Sequence, residues 1–194
     1  MGLILASQSP RRHDILHWMG IPFETEVCDA PEIVPSGLSP QETVKALALQ
    51  KAAYARKLHP ADHVLGADTI VVLDGVIYGK PHDKAQAKAF LRALQGREHT
   101  VYTGVALLYG DAQDVRCCAT TVRFRPMQDA EIDWYISTGE PMDKAGAYGL
   151  QGLGSVFVEG MVGNYFNVIG LPAPMVYEML LDAGFLTPDR STLQ

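Results

Sequence analysis

VLGADTIVVLDGVIYGKP, residues 64–81, is the stretch on which the reading of this chain turns. Val64-Leu65-Gly66-Ala67 reads as an apolar strand that stops at Asp68-Thr69, and Ile70-Val71-Val72-Leu73 is a second apolar run. Asp74-Gly75 is a strong two-residue hairpin turn, Val76-Ile77-Tyr78 is the return strand, and Gly79-Lys80-Pro81 closes the unit. A carboxylate set between strand-like runs must be solvated, paired or bound to a metal. A strand end is also where α/β proteins place their ligands. Lys80, at the far end of the hairpin, is placed to face the same cleft as Asp68. One rigid element would then offer a negative group for a metal or a water and a positive group for an anion.

Upstream, Leu3-Ile4-Leu5-Ala6 is a short buried strand, Ser9 is an N-cap with Pro10 at the first helical position, and Gly20 ends the helix. The turn between them collects free backbone N–H groups, Ser7, Ser9, Arg11 and Arg12. It reads either as an anion site or as an ordinary cap with two solvated arginines. Ile21 to Val27 reads as a strand, followed by a loop carrying Asp29 and Glu32. Ser39-Pro40-Gln41-Glu42 is a capping box opening a helix that runs to about Leu58. Lys51 falls on the apolar stripe of that helix, one heptad after Val44. It either snorkels outward or reaches into a cleft holding something negative.

Downstream, Asp83 caps a helix from Lys84 to about Gln95, a long hairpin covers roughly 99–108 and 114–125, and Asp129 to Thr138 is a short helix. MDKAGAYGLQGLG, residues 142–154, is rich in glycine. It reads either as a plain connection or as a backbone able to approach a ligand, with Asp143, Lys144, Tyr148 and Gln151 beside it. It is not the dinucleotide GxGxxG, and no GxxxxGK[ST] occurs. Ser155-Val156-Phe157-Val158 and Phe166-Asn167-Val168-Ile169 read as strands about a Gly163-Asn164 turn, and the last helix runs to about Ala183.

The chain has 194 residues, 47% of them apolar, enough for one generous domain or two small lobes sharing a cleft, without a separable linker. No apolar run approaches the roughly 18 residues of a membrane span, and the first residues lack the pattern of a secretory signal. The net charge of −6 argues against broad nucleic-acid binding while leaving room for a small polyanion on a local basic cluster. Cys28, Cys117 and Cys118 lack metal-ligand spacing, which fits a reducing, cytoplasmic setting. Arg11, Arg12, Lys51, Asp68, Lys80, Asp143 and Lys144 together have the profile of a polyphosphate site with one divalent ion.

The chain resembles the Maf family of nucleoside triphosphate pyrophosphatases over essentially its whole length. The motifs are LASxSPRR (Leu5 to Arg12), the Lys51 region, GADT (Gly66 to Thr69), GKP (Gly79 to Pro81), DKAGAYG-QG (Asp143 to Gly152) and a VGLP-like run at 168–172, in order and at family spacing. The resemblance implies a mixed α/β fold, Maf/inosine-triphosphatase-like, with two lobes around a deep central cleft. It implies hydrolysis of a nucleoside triphosphate to monophosphate and pyrophosphate with a divalent cation, Mg²⁺ or Mn²⁺, and allows a homodimer. It makes Asp68 the proton-accepting carboxylate and ties Arg12, Thr69 and Gln151 to base selectivity. Ser7, Glu32, Lys51 and Lys80 match other cleft positions, and Asp68 and Glu32 become the metal candidates. Pro31-Glu32 stands where the family often has Asp-Glu. Asp143-Lys144 and Gln151 resemble the dTTP/UTP subgroup; the 7-methyl-GTP subgroup typically carries Glu in place of Gln151. The competing expectations are a nucleotide-binding regulator of cell division and an enzyme of another base preference.

Overall fold

The computed structural model describes residues 1–27, 33 and 37–187. Cys28, Asp29 and Glu32, singled out above, lie outside the described residues. The described strands are β1 (Leu3–Ala6), β2 (Glu24–Thr25), β3 (His63–Leu73), β4 (Val76–Tyr78), β5 (Glu98–Tyr109), β6 (Ala112–Phe124) and β7 (Val158–Val162). The helices are α1 (Pro10–Trp18), α2 (Pro40–Leu58), α3 (Lys84–Leu94), α4 (Asp129–Ser137), α5 (Tyr165–Ile169) and α6 (Ala173–Asp182). The sheet runs β2-β1-β3-β5-β6-β7, with β4 paired to β3. It is mixed: β1 is parallel to β2 and β3, whereas β4 and β7 pair antiparallel with β3 and β6. Among the described residues no helix is long and apolar enough to cross a membrane.

The chain divides into two compact units. The first holds Met1–Asp68, Thr103–Cys118 and the chain from Gly170 on; the second holds Thr69–Tyr102 and Ala119–Ile169. The first unit has an alanine-rich core in which Ala48, Ala52 and Ala55 of α2 meet Ile4, Ala6, Val64 and Ala106. Small side chains let the helix lie close to the sheet. A Cβ on Gly66 would stand 2.4 Å from the Ala48 carbonyl oxygen, so only glycine admits this approach. The capping box opens α2 as its sequence predicts: Ser39 Oγ accepts from the Glu42 N–H and Glu42 Oε2 accepts from the Ser39 N–H.

The second unit has an aromatic core. Phe124, Tyr135, Tyr148 and Phe157 pack with Leu91, Leu94 and Val122. Asp83 Oδ1 accepts from the Gln86 N–H and starts α3. Asp74 and Gly75 both take positive φ, 51° and 78°, as a two-residue hairpin with the right-handed twist requires.

Three sequence expectations change. The apolar runs on either side of Asp68 are one strand, β3, so Asp68 does not end it. The expected strand over 21–27 shrinks to Glu24–Thr25. Residues 155–158 and 166–169 are not two strands about a turn. Leu153–Phe157 is a 3₁₀ turn, Val158–Val162 is the strand, and Tyr165–Ile169 is helical. Asn164 accounts for the last change, because its Oδ1 accepts from the Asn167 N–H and caps a helical turn.

Candidate active site

Parallel pairing places the candidate residues of the first unit. Ala6 of β1 is registered with Gly66 of β3, so both strands direct their C-terminal ends the same way. Ser7 continues from Ala6, and Asp68 lies two residues past Gly66. Asp68 is therefore at the end of the β1–β3 pairing although β3 itself continues. Strand geometry puts Gly66 and Asp68 on one face. Helix geometry puts Ala48, Lys51 and Ala52 on one face of α2. Because Gly66 seats against Ala48 and Ala52, the next position of each element meets: Lys51 Nζ lies 2.5 Å from Asp68 Oδ1. Both side chains are largely buried, 18% and 12% exposed. Each charge offsets the desolvation of the other. Of the two readings left open for Lys51, the inward one is correct.

The turn after β1 is held by its own side chains. Ser7 is buried, and its Oγ accepts from the Ser9 N–H at 3.2 Å and from Arg12 Nη1 at 3.1 Å. Arg12 Nε donates to the Gly170 carbonyl at 2.8 Å, tying α1 to the Gly-Leu-Pro segment before α6. Ser9 occupies the N-cap position but makes no side-chain capping bond. Arg11 is half-buried on the first turn of α1. His13, which sequence reasoning passed over, lies 3.0 Å from the Ser7 carbonyl through Nε2. No local pattern marks it.

In the second unit, Thr69 is half-buried and Lys80 is exposed just after β4. The Gly146 N–H donates to the Gly79 carbonyl at 3.0 Å, which fastens the glycine-rich segment to the residue before Lys80. Asp143 is exposed, and its Oδ1 accepts from Lys144 Nζ at 2.6 Å. Lys144 Nζ also donates to the Glu140 carbonyl at 2.6 Å. Gln151 is half-buried. Tyr148 is buried, its hydroxyl 2.8 Å from His99 Nε2 and its ring against Phe124. Burial pushes the His99 imidazole down to about 4 and the Tyr148 phenol well above its usual range.

The structure thus joins Ser7 with Arg12, Lys51 with Asp68, and Asp143 with Lys144 by direct bonds. Thr69 follows Asp68 along β3. Glu32 lies outside the described residues. Among the described residues, no group of three or more His, Cys, Asp and Glu is arranged to hold a metal ion. Glu140 and Tyr135, absent from the sequence reading, bond to the backbone around Gln151. The available signal was a tyrosine on the buried face of α4, since a buried phenol needs a partner.

A family model described as "Maf-like protein" matches residues 2–183. A protein of Symbiobacterium thermophilum named dTTP/UTP pyrophosphatase is 49% identical over 183 residues, covering 94% of this chain and 94% of the relative. One of Thermotoga maritima with the same name is 44% identical over 187 residues, covering 95% of this chain and 91% of the relative. Among solved structures, the Staphylococcus aureus Ham1 protein aligns with a TM-score of 0.47 at 17% identity, covering 64% of this chain and 72% of that one.

Proposed function

The chain belongs to the Maf family, and from that premise we propose that it is a hydrolase converting dTTP and UTP to the monophosphate and pyrophosphate. The observation that carries this reading is near-full-length likeness, at 49% and 44% identity, to two proteins named for that activity. The buried Asp68–Lys51 pair at the parallel-strand ends supports it.

In the proposed reaction Asp68 orients a water and takes its proton. The water oxygen bonds to the α-phosphorus as the bond to the bridging oxygen breaks, and pyrophosphate leaves. Lys51 holds Asp68 in place and, with Ser7, Arg11, Arg12 and Lys80, offsets charge on the departing pyrophosphate. Thr69 and Gln151 hydrogen-bond the pyrimidine edge, and Asp143 and Lys144 bind the nucleotide. Buried polar groups left unpaired by a wrong base give such a site its selectivity.

A magnesium-type ion takes oxygen ligands, keeps several waters and needs only one or two carboxylates beside the substrate phosphates. Asp68 is an oxygen donor of that kind and would hold Mg²⁺ or Mn²⁺, with Glu32, which lies outside the described residues, as the second carboxylate. Bound there, the ion would neutralise triphosphate charge. We place the reaction in the cytoplasm, where thiols such as Cys117 and Cys118 stay reduced.

The test is pyrophosphate release by the purified protein with Mg²⁺ or Mn²⁺ across dTTP, UTP, CTP, GTP, ITP and 7-methyl-GTP. Preferential turnover of dTTP and UTP supports the reading. Preference for another base keeps the hydrolase and rejects the assigned base contacts. Tight nucleotide binding without turnover overturns the enzyme in favour of a regulator.

A further inference from the structure

The segment carrying Gln151 has little regular structure, yet its backbone is bonded at several points to two side chains. The Gly149 N–H donates to Tyr135 Oη at 3.1 Å. Tyr135 Oη in turn donates to Glu140 Oε1 at 2.9 Å. Glu140 Oε2 accepts from the Leu153 N–H at 2.9 Å, and Oε1 accepts from the Gly154 N–H at 3.0 Å. The bonded amides lie two residues before Gln151 and two and three after it. None of these bonds uses the Gln151 amide.

The packing is equally close. A Cβ on Gly154 would stand 2.6 Å from Tyr135 Oη and 2.5 Å from the Gly149 carbonyl oxygen. Gly154 is thus spent on closing the loop over Tyr135, not on approaching a ligand. Tyr135 is fully buried on α4, and Glu140 follows in the 3₁₀ turn Glu140–Asp143, so both anchors stand on fixed structure. Burial opposes the charge on Glu140, but the N–H bonds from Leu153 and Gly154 and the Tyr135 hydroxyl hold its carboxyl below the usual range. Burial holds the Tyr135 phenol well above its own, so it stays a donor.

We propose that Glu140 and Tyr135 are positioning residues that hold the Gly149–Gly154 backbone and thereby set base selectivity through Gln151. The proposal rests on the assignment of Gln151 to the pyrimidine edge. Both act through the loop backbone that they bond. Together they fix the two sides of Gln151, so its amide meets the base without a search over loop conformations. Loosening either anchor weakens discrimination between bases more than it slows the chemical step.

The experiment measures kcat and KM for dTTP and CTP in Glu140→Gln, Tyr135→Phe, Gln151→Ala and the two doubles with Gln151→Ala. Near-ultraviolet circular dichroism confirms folding, and Tyr135→Phe serves if Glu140→Gln does not fold. The expected result is a fall of about 10-fold in the dTTP/CTP ratio of kcat/KM for each single, arising mainly in KM. In the Gln151→Ala background the anchor substitutions should change that ratio no further. Equal losses for both nucleotides, or additive effects in the doubles, overturn the positioning role while leaving Gln151 as the base contact. An unchanged ratio in Gln151→Ala alone rejects the base contact itself, and the positioning role falls with it.

Discussion

Asp68 stands on a strand and its partner Lys51 on a helix, whereas Gln151 stands on a loop. In the first unit the placement follows from repeat geometry. Two residues along β3 from Gly66 reach Asp68, three along α2 from Ala48 reach Lys51, and the contact of Gly66 with Ala48 brings the ends together. In the second unit no repeat orients Gln151. Glu140 and Tyr135 instead bond to the backbone on either side of it, and Tyr148 adds a buried anchor through His99. The two placements are therefore vulnerable at different points. A residue on regular elements is displaced by changing how the elements pack. A residue on a pinned loop is displaced by removing a single hydrogen-bonding side chain.

Asp68→Asn should act most strongly, because it keeps the shape and the packing around Lys51 and removes the proposed base. Turnover of dTTP should fall by about 10²–10⁴-fold, the usual contribution of a general base, with circular dichroism unchanged. Near-normal kcat would end the role assigned to Asp68. Gly66→Ala attacks the geometry instead. Its methyl would meet the Ala48 carbonyl at 2.4 Å, so α2 must shift away from β3. Urea denaturation should show a loss of about 3 kcal/mol, the range for overpacked cores, and activity should drop as Lys51 and Asp68 separate. Stability within 0.5 kcal/mol of wild type (~0.5 being the ordinary surface effect) would show that the approach of helix and strand is not what places the pair.

Acid sharpens the comparison from the other side. His99 is 2% exposed and is held neutral down to about pH 4, whereas in the unfolded chain it takes up a proton near 6.5. The unfolded state therefore binds the extra proton first as pH falls. Stability is full above about 6.5, declines between 6.5 and about 4, and levels below that. The decline attributable to His99 is roughly 3 kcal/mol, the free-energy equivalent of that gap between the folded and the unfolded chain. Denaturation curves from pH 8 to 4 (roughly spanning both states) should show this slope in wild type and much less of it in His99→Gln. An equal slope in both would remove His99 as the acid-sensitive anchor of Tyr148. The smallest effect is expected from Ser39→Ala at the start of α2, about 1 kcal/mol of stability for a lost N-cap, with turnover of dTTP unchanged.

Much of the fold was legible because its signals are local. The Ser39–Glu42 box, the Asp83 cap and the Asp74-Gly75 turn each act within four residues, and each appears where its residues stand. The reading failed where local signals conflict. Phe166 to Ile169 has the composition of a strand, but Asn164 caps a helical turn there, and Asn167 Nδ2 then donates to the Val101 carbonyl. Asp68 looked like a strand end because a charge in mid-strand is costly to bury. The partner that offsets it, Lys51, is 17 residues earlier on another element.

From the amino-acid sequence came the longer helices, the caps at Ser39 and Asp83, the Asp74-Gly75 turn, the cast of charged residues and the family to which the chain belongs. These follow from the preferences of each residue for its neighbours and from motifs read in order. Tertiary structure alone decided that Lys51 turns inward to Asp68, that Tyr148 is core, and that Glu140 and Tyr135 hold the loop around Gln151. Those outcomes depend on which side chains share a buried space, and a buried charge or hydroxyl takes whatever partner packing delivers to it, at any distance along the chain.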